Sequence, residues 1–284
     1  MAFPKELRMN NPLGVMQGRL LPKYQGRYQA HPVGYWQDEF AVAAEVGLDC
    51  IEFILDYNQV EENPLFSLSG RQKIQKLSES TGVQVHSVCA DYFMEAPLHR
   101  DDPDQAQASL NAMRRLLEAA ADLEIRDIVV PCVDQSSIRD IAARSRFQQH
   151  LIEIIPHAEK LGVNISLETD LAPNDFKDLL GQLNSTRVTV NYDIGNSASL
   201  GYDPEEELHA YGPRISDIHI KDRILKGGPV KLGTGNADFP RFFSLLSTFH
   251  YKGPFIMQAY RDDEGVNIFQ EQLRWVCPVL EKNF

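Results

Sequence analysis

A single (β/α)8 TIM barrel is the fold this sequence predicts, on three observations. Eight short runs rich in β-branched residues recur along the 284 residues with little polar alternation; strands buried on both faces of a parallel sheet read this way. Their spacing is regular, since Val15 in the first run and Ile256 in the eighth lie 241 residues apart over seven intervals, about 34 per unit, enough for one strand and one helix. Lastly, the final four runs each end in a residue able to bind a divalent cation: Glu168, Asp193, His219 and Gln258. Ends of successive parallel strands converge on one point only if the sheet closes. An open doubly wound sheet, the structural alternative, brings them together less readily, and no G-x-G-x-x-G follows the first run. No linker or low-complexity stretch interrupts the pattern, so residues 1–284 read as one domain.

The elements follow in order. The first strand is LGVMQG (Leu13–Gly18), and a long connection, LPKYQGRYQAHPVGYW, precedes the first helical pattern. Arg19, Lys23, Arg27, Tyr28, His31, Tyr35 and Trp36 lie along it. In barrels such βα loops cover the C-terminal face where sites are built. Aromatics there can wall off a sugar and bases can hold a phosphate; the plainer reading is a loop that grips its own barrel. The helical pattern DEFAVAAEVG leads to CIEFIL (Cys50–Leu55), LSGRQKIQKLSESTG to VQVHSVC (Val83–Cys89), and DQAQASLNAMRRLLEAAADLE to DIVVPC (Asp127–Cys132). RSRFQQHLIEIIPHAEKLG then precedes NISLE (Asn164–Glu168), and PNDFKDLLGQL precedes VTVNYD (Val188–Asp193). PEEELHAYG leads to DIHIK (Asp217–Lys221), and DFPRFFSLLSTFH to PFIMQ (Pro254–Gln258). Gly47, Gly82 and Gly162 stand where helices are capped before the next strand.

Composition narrows the function classes. The chain is 43% hydrophobic and 24% charged, as in an ordinary soluble globular protein. No apolar run approaches the roughly 18–20 residues of a membrane span, and MAFPKELRMNNP lacks the apolar core of a signal peptide; the cytoplasm is the expected compartment. A net charge of −12 argues against nucleic acid and against an anionic membrane surface as partners. A small anionic substrate is not excluded, because local bases can outweigh the global field. Cys50, Cys89, Cys132 and Cys277 are far apart with no C-x-x-C pair, which suits buried structural thiols.

A carboxylate, carboxylate, imidazole and amide set suits one divalent ion, Mn²⁺, Co²⁺, Mg²⁺ or Zn²⁺. The steps from Glu168 to Asp193, to His219 and to Gln258 are 25, 26 and 39 residues. Each residue alone has a plainer reading, since a strand-end Asp or Glu often only caps the next helix. Around the same face, Asp91 follows the third strand, and Lys221 and Arg223 follow His219 directly. These three, with Arg19 and Trp36, are the expected substrate contacts; Lys221 and Arg223 are also placed to pair with Asp222. His86, Glu52 and Asp134 lie near strand ends, His86 reading most simply as a core histidine. The glycine-rich segment LKGGPVKLGTGNADF after the seventh strand offers Lys226, Lys231 and the amides of Gly233 to Gly235 to a phosphate, while Asp238 reads as a helix cap.

ETD, NYDIGN and HIKD, each at a strand end, together with GVMQGRL, VGLDCIEF and LGTGNADF, resemble the sugar phosphate isomerase/epimerase superfamily of xylose-isomerase-like barrels. The L-ribulose-5-phosphate 3-epimerase-like and tagatose 3-epimerase-like branches are the most similar. The resemblance implies one divalent ion held by Glu168, Asp193, His219 and Gln258, a sugar or sugar phosphate as substrate, an enediolate route with Glu168 as base, and assembly into dimers or tetramers. It departs at one place: the family has a second Glu where this chain has Gln258, and the family's two glutamates exchange protons with opposite faces of the substrate. An amide can still offer its oxygen to a metal but cannot act as acid or base near neutral pH. Isomerase or epimerase is therefore the leading expectation. A metal-dependent dehydratase or lyase, or a catalytically silent carbohydrate-binding barrel, remains open beside it.

Overall fold

The computed structural model describes residues 10–261 and 266–284. Eight parallel strands close into a barrel: β1 (Leu13–Met16), β2 (Cys50–Ile54), β3 (Gln84–Cys89), β4 (Asp127–Cys132), β5 (Asn164–Thr169), β6 (Val188–Asp193), β7 (Ile215–Ile220) and β8 (Phe255–Met257). Each pairs with its chain neighbours, and β1 pairs with β8 to complete the ring. All eight strands expected from the sequence are present, with ends shifted by a residue or two.

The helices are α1 (Asp38–Val46), α2 (Leu68–Thr81), α3 (Tyr92–Glu95), α4 (Pro103–Asp122), α5 (Ile141–Leu161), α6 (Pro173–Leu183), α7 (Ile194–Leu200), α8 (Pro204–Tyr211), α9 (Phe239–Ser247) and α10 (Val266–Asn283). Gly47, Gly82 and Gly162 cap α1, α2 and α5 in the left-handed conformation, as expected. Asp238 caps α9 by accepting from the Arg241 amide at 3.1 Å. Three α-helices escaped the sequence reading. The four-residue α3 is one turn, α7 is seven residues with a glycine, and α10 carries Pro278 within it. Each is weak by local propensity and is held by packing. A two-stranded hairpin, Asp222–Arg223 with Pro229–Val230, follows β7.

The main core lies between the strands and the helix ring, with Phe40, Phe53, Phe147, Phe243 and Phe269 fully buried. Inside the barrel the filling is uneven. Met16, Cys50, Ile54, Cys89, Val129 and Ile256 form a compact apolar cluster, contributed by β1 to β4 and β8. The other side of the interior is polar: Ser166, Asn191, Asp217 and His219 on β5 to β7 are buried there, with Glu52 reaching from β2. A buried polar floor must be satisfied by hydrogen bonds or charge, and this one lies directly under the strand ends that carry the candidate ligands.

Candidate active site

Glu168 sits near the end of β5, Asp193 ends β6, and His219 on β7 is Asp193's register partner in the next strand. One ligand atom from each of the three lies within 4.8 Å of the others, and all three side chains are buried. Gln258 directly follows β8, its amide N–H donating to the Ile220 carbonyl of β7 at 3.0 Å. Closing the barrel therefore brings Glu168, Asp193 and His219 together, with Gln258 in the same cavity wall as Glu168.

His219 is fixed from below. Its Nε2 lies 2.8 Å from Glu52 Oε1, and Glu52 also accepts from Ser87 Oγ at 2.6 Å. A carboxylate behind a ligating imidazole sets ring orientation and raises its basicity. Burial alone would depress the His219 pKa, but Glu52, with Asp217 and Glu168, pushes it up to about 10. Nδ1, on the other edge of the ring, is buried with no hydrogen-bond partner. Glu52, which the sequence placed only near a strand end, is thus buried as a support for His219.

Glu168 accepts from Asn196 Nδ2 at 2.5 Å. Burial and then the neighbouring Asp193 push its carboxyl up to about 7, against the opposing pull of His219 and Lys221. Asp193 caps α7, as the plainer reading of a strand-end aspartate expects: Oδ1 accepts the Asn196 amide at 2.8 Å. Its Oδ2 faces Lys221 Nζ at 3.1 Å. Gly195 makes this packing possible, because a Cβ there would lie 2.8 Å from Lys221 Cγ and 3.0 Å from the Lys221 carbonyl oxygen.

The orientation of Gln258 follows from donor and acceptor logic. Arg19 Nη2 can only donate, and it lies 3.1 Å from the Gln29 side chain, so that end of Gln29 is the oxygen. Gln29 Nε2 then faces the Asp91 carboxylate at 3.1 Å, an acceptor as required. Gln258 meets the Gln29 oxygen at 2.8 Å, so it presents its Nε2 there. Its Oε1 is left pointing away, buried and without a partner. Two buried polar atoms, Gln258 Oε1 and His219 Nδ1, are thus without a partner, and with His219 giving up its Nδ1 proton the four residues have the donor set of a divalent ion of the oxygen- and nitrogen-binding class.

A cavity of about 310 Å³ opens above this centre, with Glu168, Gln258, Lys221 and Asp91 in its wall. Of the other expected contacts, Arg19 is buried behind Gln29, and Arg223 is held by the Gly227 carbonyl at 3.0 Å and Asn196 Oδ1 at 2.8 Å; neither is part of the cavity wall. Trp36 is also absent from the wall. It packs against Phe40 and Phe53 in the core, with Lys73 over its ring at 5.5 Å. The long βα loop grips the barrel through Trp36 and His31, as its plainer reading expected, and sends Gln29 and an Asp56-paired Arg27 to the cavity. His86 lines a different cavity, beside Arg126 and Lys252 at the strand starts. Burial pushes the Cys89 and Cys132 thiols well up, which disfavours the thiolate a nucleophile needs and suits buried structural thiols. Gln29 and Asn196 were missed. Asn196 stands three residues after Asp193 inside NYDIGN, whereas nothing marks Gln29 out within a polar loop.

Fold and site together define a closed (β/α)8 barrel with an acidic, imidazole-bearing centre at its C-terminal strand ends. Residues 40–279 match the family described as xylose isomerase-like TIM barrel, and the chain belongs to that family. L-ribulose-5-phosphate 3-epimerase UlaE of Salmonella heidelberg is 28% identical over 246 residues, covering 82% of this chain and 86% of that protein. Among solved structures, a D-psicose 3-epimerase crystallised in the presence of D-fructose superposes with a TM-score of 0.74 at 15% identity, over 95% of this chain and 99% of that one. A xylose isomerase-like TIM barrel protein from Mycobacterium smegmatis in complex with magnesium gives 0.70 at 19% identity, over 96% and 97%. These structural likenesses speak to the fold. Among the described residues no helix is long and apolar enough to cross a membrane.

Proposed function

We propose that this chain is a sugar isomerase or epimerase in which Glu168 carries the substrate proton and Glu168, Asp193, His219 and Gln258 hold one divalent ion, Mn²⁺, Co²⁺, Mg²⁺ or Zn²⁺. The observation that carries the reading is the set of three ligand atoms within 4.8 Å of one another, completed by the unfilled Nδ1 of His219 and Oε1 of Gln258. When bound, a divalent ion supplies Lewis-acid stabilisation of the negative charge that spreads onto substrate oxygens as a proton leaves the carbon beside a carbonyl. Glu168 lies within the cavity wall, where its carboxylate reaches such a C–H and takes the proton. Asn196, donating to Glu168 Oε1, fixes which oxygen stays free. Lys221 and Asp91 bind substrate oxygens from the same wall.

Gln258 divides the possible reactions. It binds but moves no proton, so the ligand set contains one carboxylate that faces the cavity and can act as base. Aldose–ketose isomerisation needs only one such group, which returns the proton to the adjacent carbon on the same face. Epimerisation needs a donor on the opposite face, and loss of water changes the substrate's mass. The deciding experiment incubates the metal-loaded protein with ketoses and their phosphates in D₂O and analyses the products. An aldose or epimeric ketose carrying solvent deuterium is the expected result. A dehydrated product would establish the lyase instead. No exchange with any sugar, together with epimerase activity gained in Gln258→Glu, would mark a binding barrel that had lost its chemistry.

A further inference from the structure

The sugar reading leaves open whether the substrate carries a phosphate, and the charges around the cavity decide this. Among the described residues the wall contains five carboxylates, Asp56, Asp91, Glu95, Asp134 and Glu168, against two cations, Arg27 and Lys221. Both cations are already engaged. Arg27 Nη1 binds Asp56 Oδ1 at 2.9 Å, and Lys221 Nζ binds Asp193 Oδ2 at 3.1 Å. A divalent ion at the ligand centre would offset Glu168 and Asp193 and release Lys221 to balance one further carboxylate, and Arg19 acts on Asp91 from behind the wall. Asp91, Glu95 and Asp134 still outnumber the bases left for them among the described residues. A sugar phosphate brings nearly two negative charges at neutral pH into a chain whose net charge is already −12.

The anion site foreseen in the glycine-rich loop after β7 is also filled from within. Asp222 is fully buried and accepts the amides of Gly233 at 2.9 Å, Gly235 at 2.8 Å and Ala237 at 3.1 Å. A row of backbone N–H groups converging on one point is the arrangement that binds phosphate elsewhere; here a carboxylate of the chain itself sits in it. Arg223, beside that loop, is held by Gly227 and Asn196.

What the wall does offer suits hydroxyl groups. Carboxylates are pure acceptors, so Asp91, Glu95 and Asp134 match the O–H donors of a polyol. Tyr57, 47% exposed, stands in the same wall, its ring braced against Tyr92 at 5.2 Å. It presents an apolar face to the C–H side of a sugar. We infer that the substrate of this cavity is an unphosphorylated keto-sugar rather than a sugar phosphate. This rests on the sugar isomerase or epimerase reading above.

The test compares two matched pairs, D-fructose with D-fructose 6-phosphate and L-ribulose with L-ribulose 5-phosphate, on the full chain loaded with Mn²⁺. Deuterium exchange from D₂O gives kcat/KM, and competition against D-tagatose in ligand-observed NMR with metal-loaded Glu168→Gln, which binds without turnover, ranks binding. The free sugar of at least one pair should exceed its phosphate by about a hundredfold in kcat/KM, the scale expected of unpaired like charges, and bind more tightly. Asp134→Lys should narrow that gap about tenfold. A phosphate ester that is bound and exchanged better than its free sugar overturns the inference and leaves the isomerase reading standing. An unchanged gap in Asp134→Lys would show that charge is not what excludes the phosphate and would likewise overturn the inference. If all four compounds neither bind nor exchange on metal-loaded protein, the sugar reading itself fails and this inference falls with it.

Discussion

Glu207 on α8 and Glu168 on β5 are both buried glutamates, and they are held in opposite ways. Glu207 Oε2 accepts from Tyr192 OH at 2.6 Å and from Ser197 Oγ, and its Oε1 accepts from Tyr211 OH at 2.8 Å. Burial raises its carboxyl, and three hydroxyl donors oppose that rise without cancelling it. Glu168 has one side-chain amide donor, a second carboxylate as its strongest raising neighbour after burial, and two unpartnered buried atoms on the neighbouring residues His219 and Gln258. A buried acid whose oxygens are filled ties elements together; here β6, α7 and α8 meet at Glu207. A buried acid left partly unfilled among like charges costs stability and is retained where the missing partner arrives with a ligand.

The sharpest break of this comparison is Glu168→Gln. Removing the proton carrier should lower kcat by on the order of 10³-fold, within the range of a lost general base. Thermal unfolding of the metal-free protein should occur at the same temperature or higher, because a repelling charge has been removed. A marked fall in Tm would mean Glu168 belongs with Glu207 as a structural acid.

His31 is an intermediate case, filled on one side only. Its Nδ1 lies 3.0 Å from Gln17 Oε1, which also accepts the Ile54 amide at 3.0 Å, whereas its Nε2 is buried and bare. Burial pushes its pKa from 6.5 down to about 4. The folded chain therefore refuses a proton that the unfolded chain accepts, and stability is lost as pH falls from about 6.5 towards 4, then levels off. At about 1.4 kcal/mol per pH unit, the full loss is about 3 kcal/mol. Chemical denaturation at pH 7.5, 5.5 and 4.5 reads it, and His31→Gln should flatten this part of the profile. Because the His31 amide also anchors on Asp56 at 2.8 Å, the long βα loop, and Gln29 with it, should loosen first.

Metal linkage tests the unfilled side directly. At a free Mn²⁺ concentration one hundredfold above Kd, the wild-type chain should gain about 2.7 kcal/mol of stability, and Asp193→Asn should lose most of that gain. An equal gain in both proteins would place the ion elsewhere.

Much of this was legible in the sequence. The eight strands and their order follow from β-branched runs at regular spacing, and Glu168, Asp193, His219 and Gln258 stood out because barrel closure turns spacing into proximity. What was not legible depends on side-chain direction. Trp36 lies in the loop above the face, yet its ring turns inward to Phe53. Gly233 and Gly235 looked like an anion cradle, but Asp222, one strand end away, fills it. Gln29 carries no motif, and its importance appears only once Arg19, Asp91 and Gln258 are seen around it.

The smallest effect is the most discriminating for the structural half of the comparison. Tyr211→Phe removes the phenol that donates to Glu207 Oε1 at 2.8 Å while leaving the ring tilted against Phe176. A buried charged acceptor that loses its donor costs about 2 kcal/mol, so unfolding should come measurably earlier in denaturant with an unchanged m-value. Turnover should be unaffected, since Tyr211 reaches Glu207 and not the cavity above Glu168. If Glu207 answers by taking up a proton, the penalty shrinks at low pH and grows as pH rises, because the protonated acid no longer needs the second donor. A loss that is flat with pH means the carboxylate stays charged and Ser197 and Tyr192 are enough to hold it. A fall in kcat without a fall in stability would join the two acids into one functional network and dissolve the distinction between them.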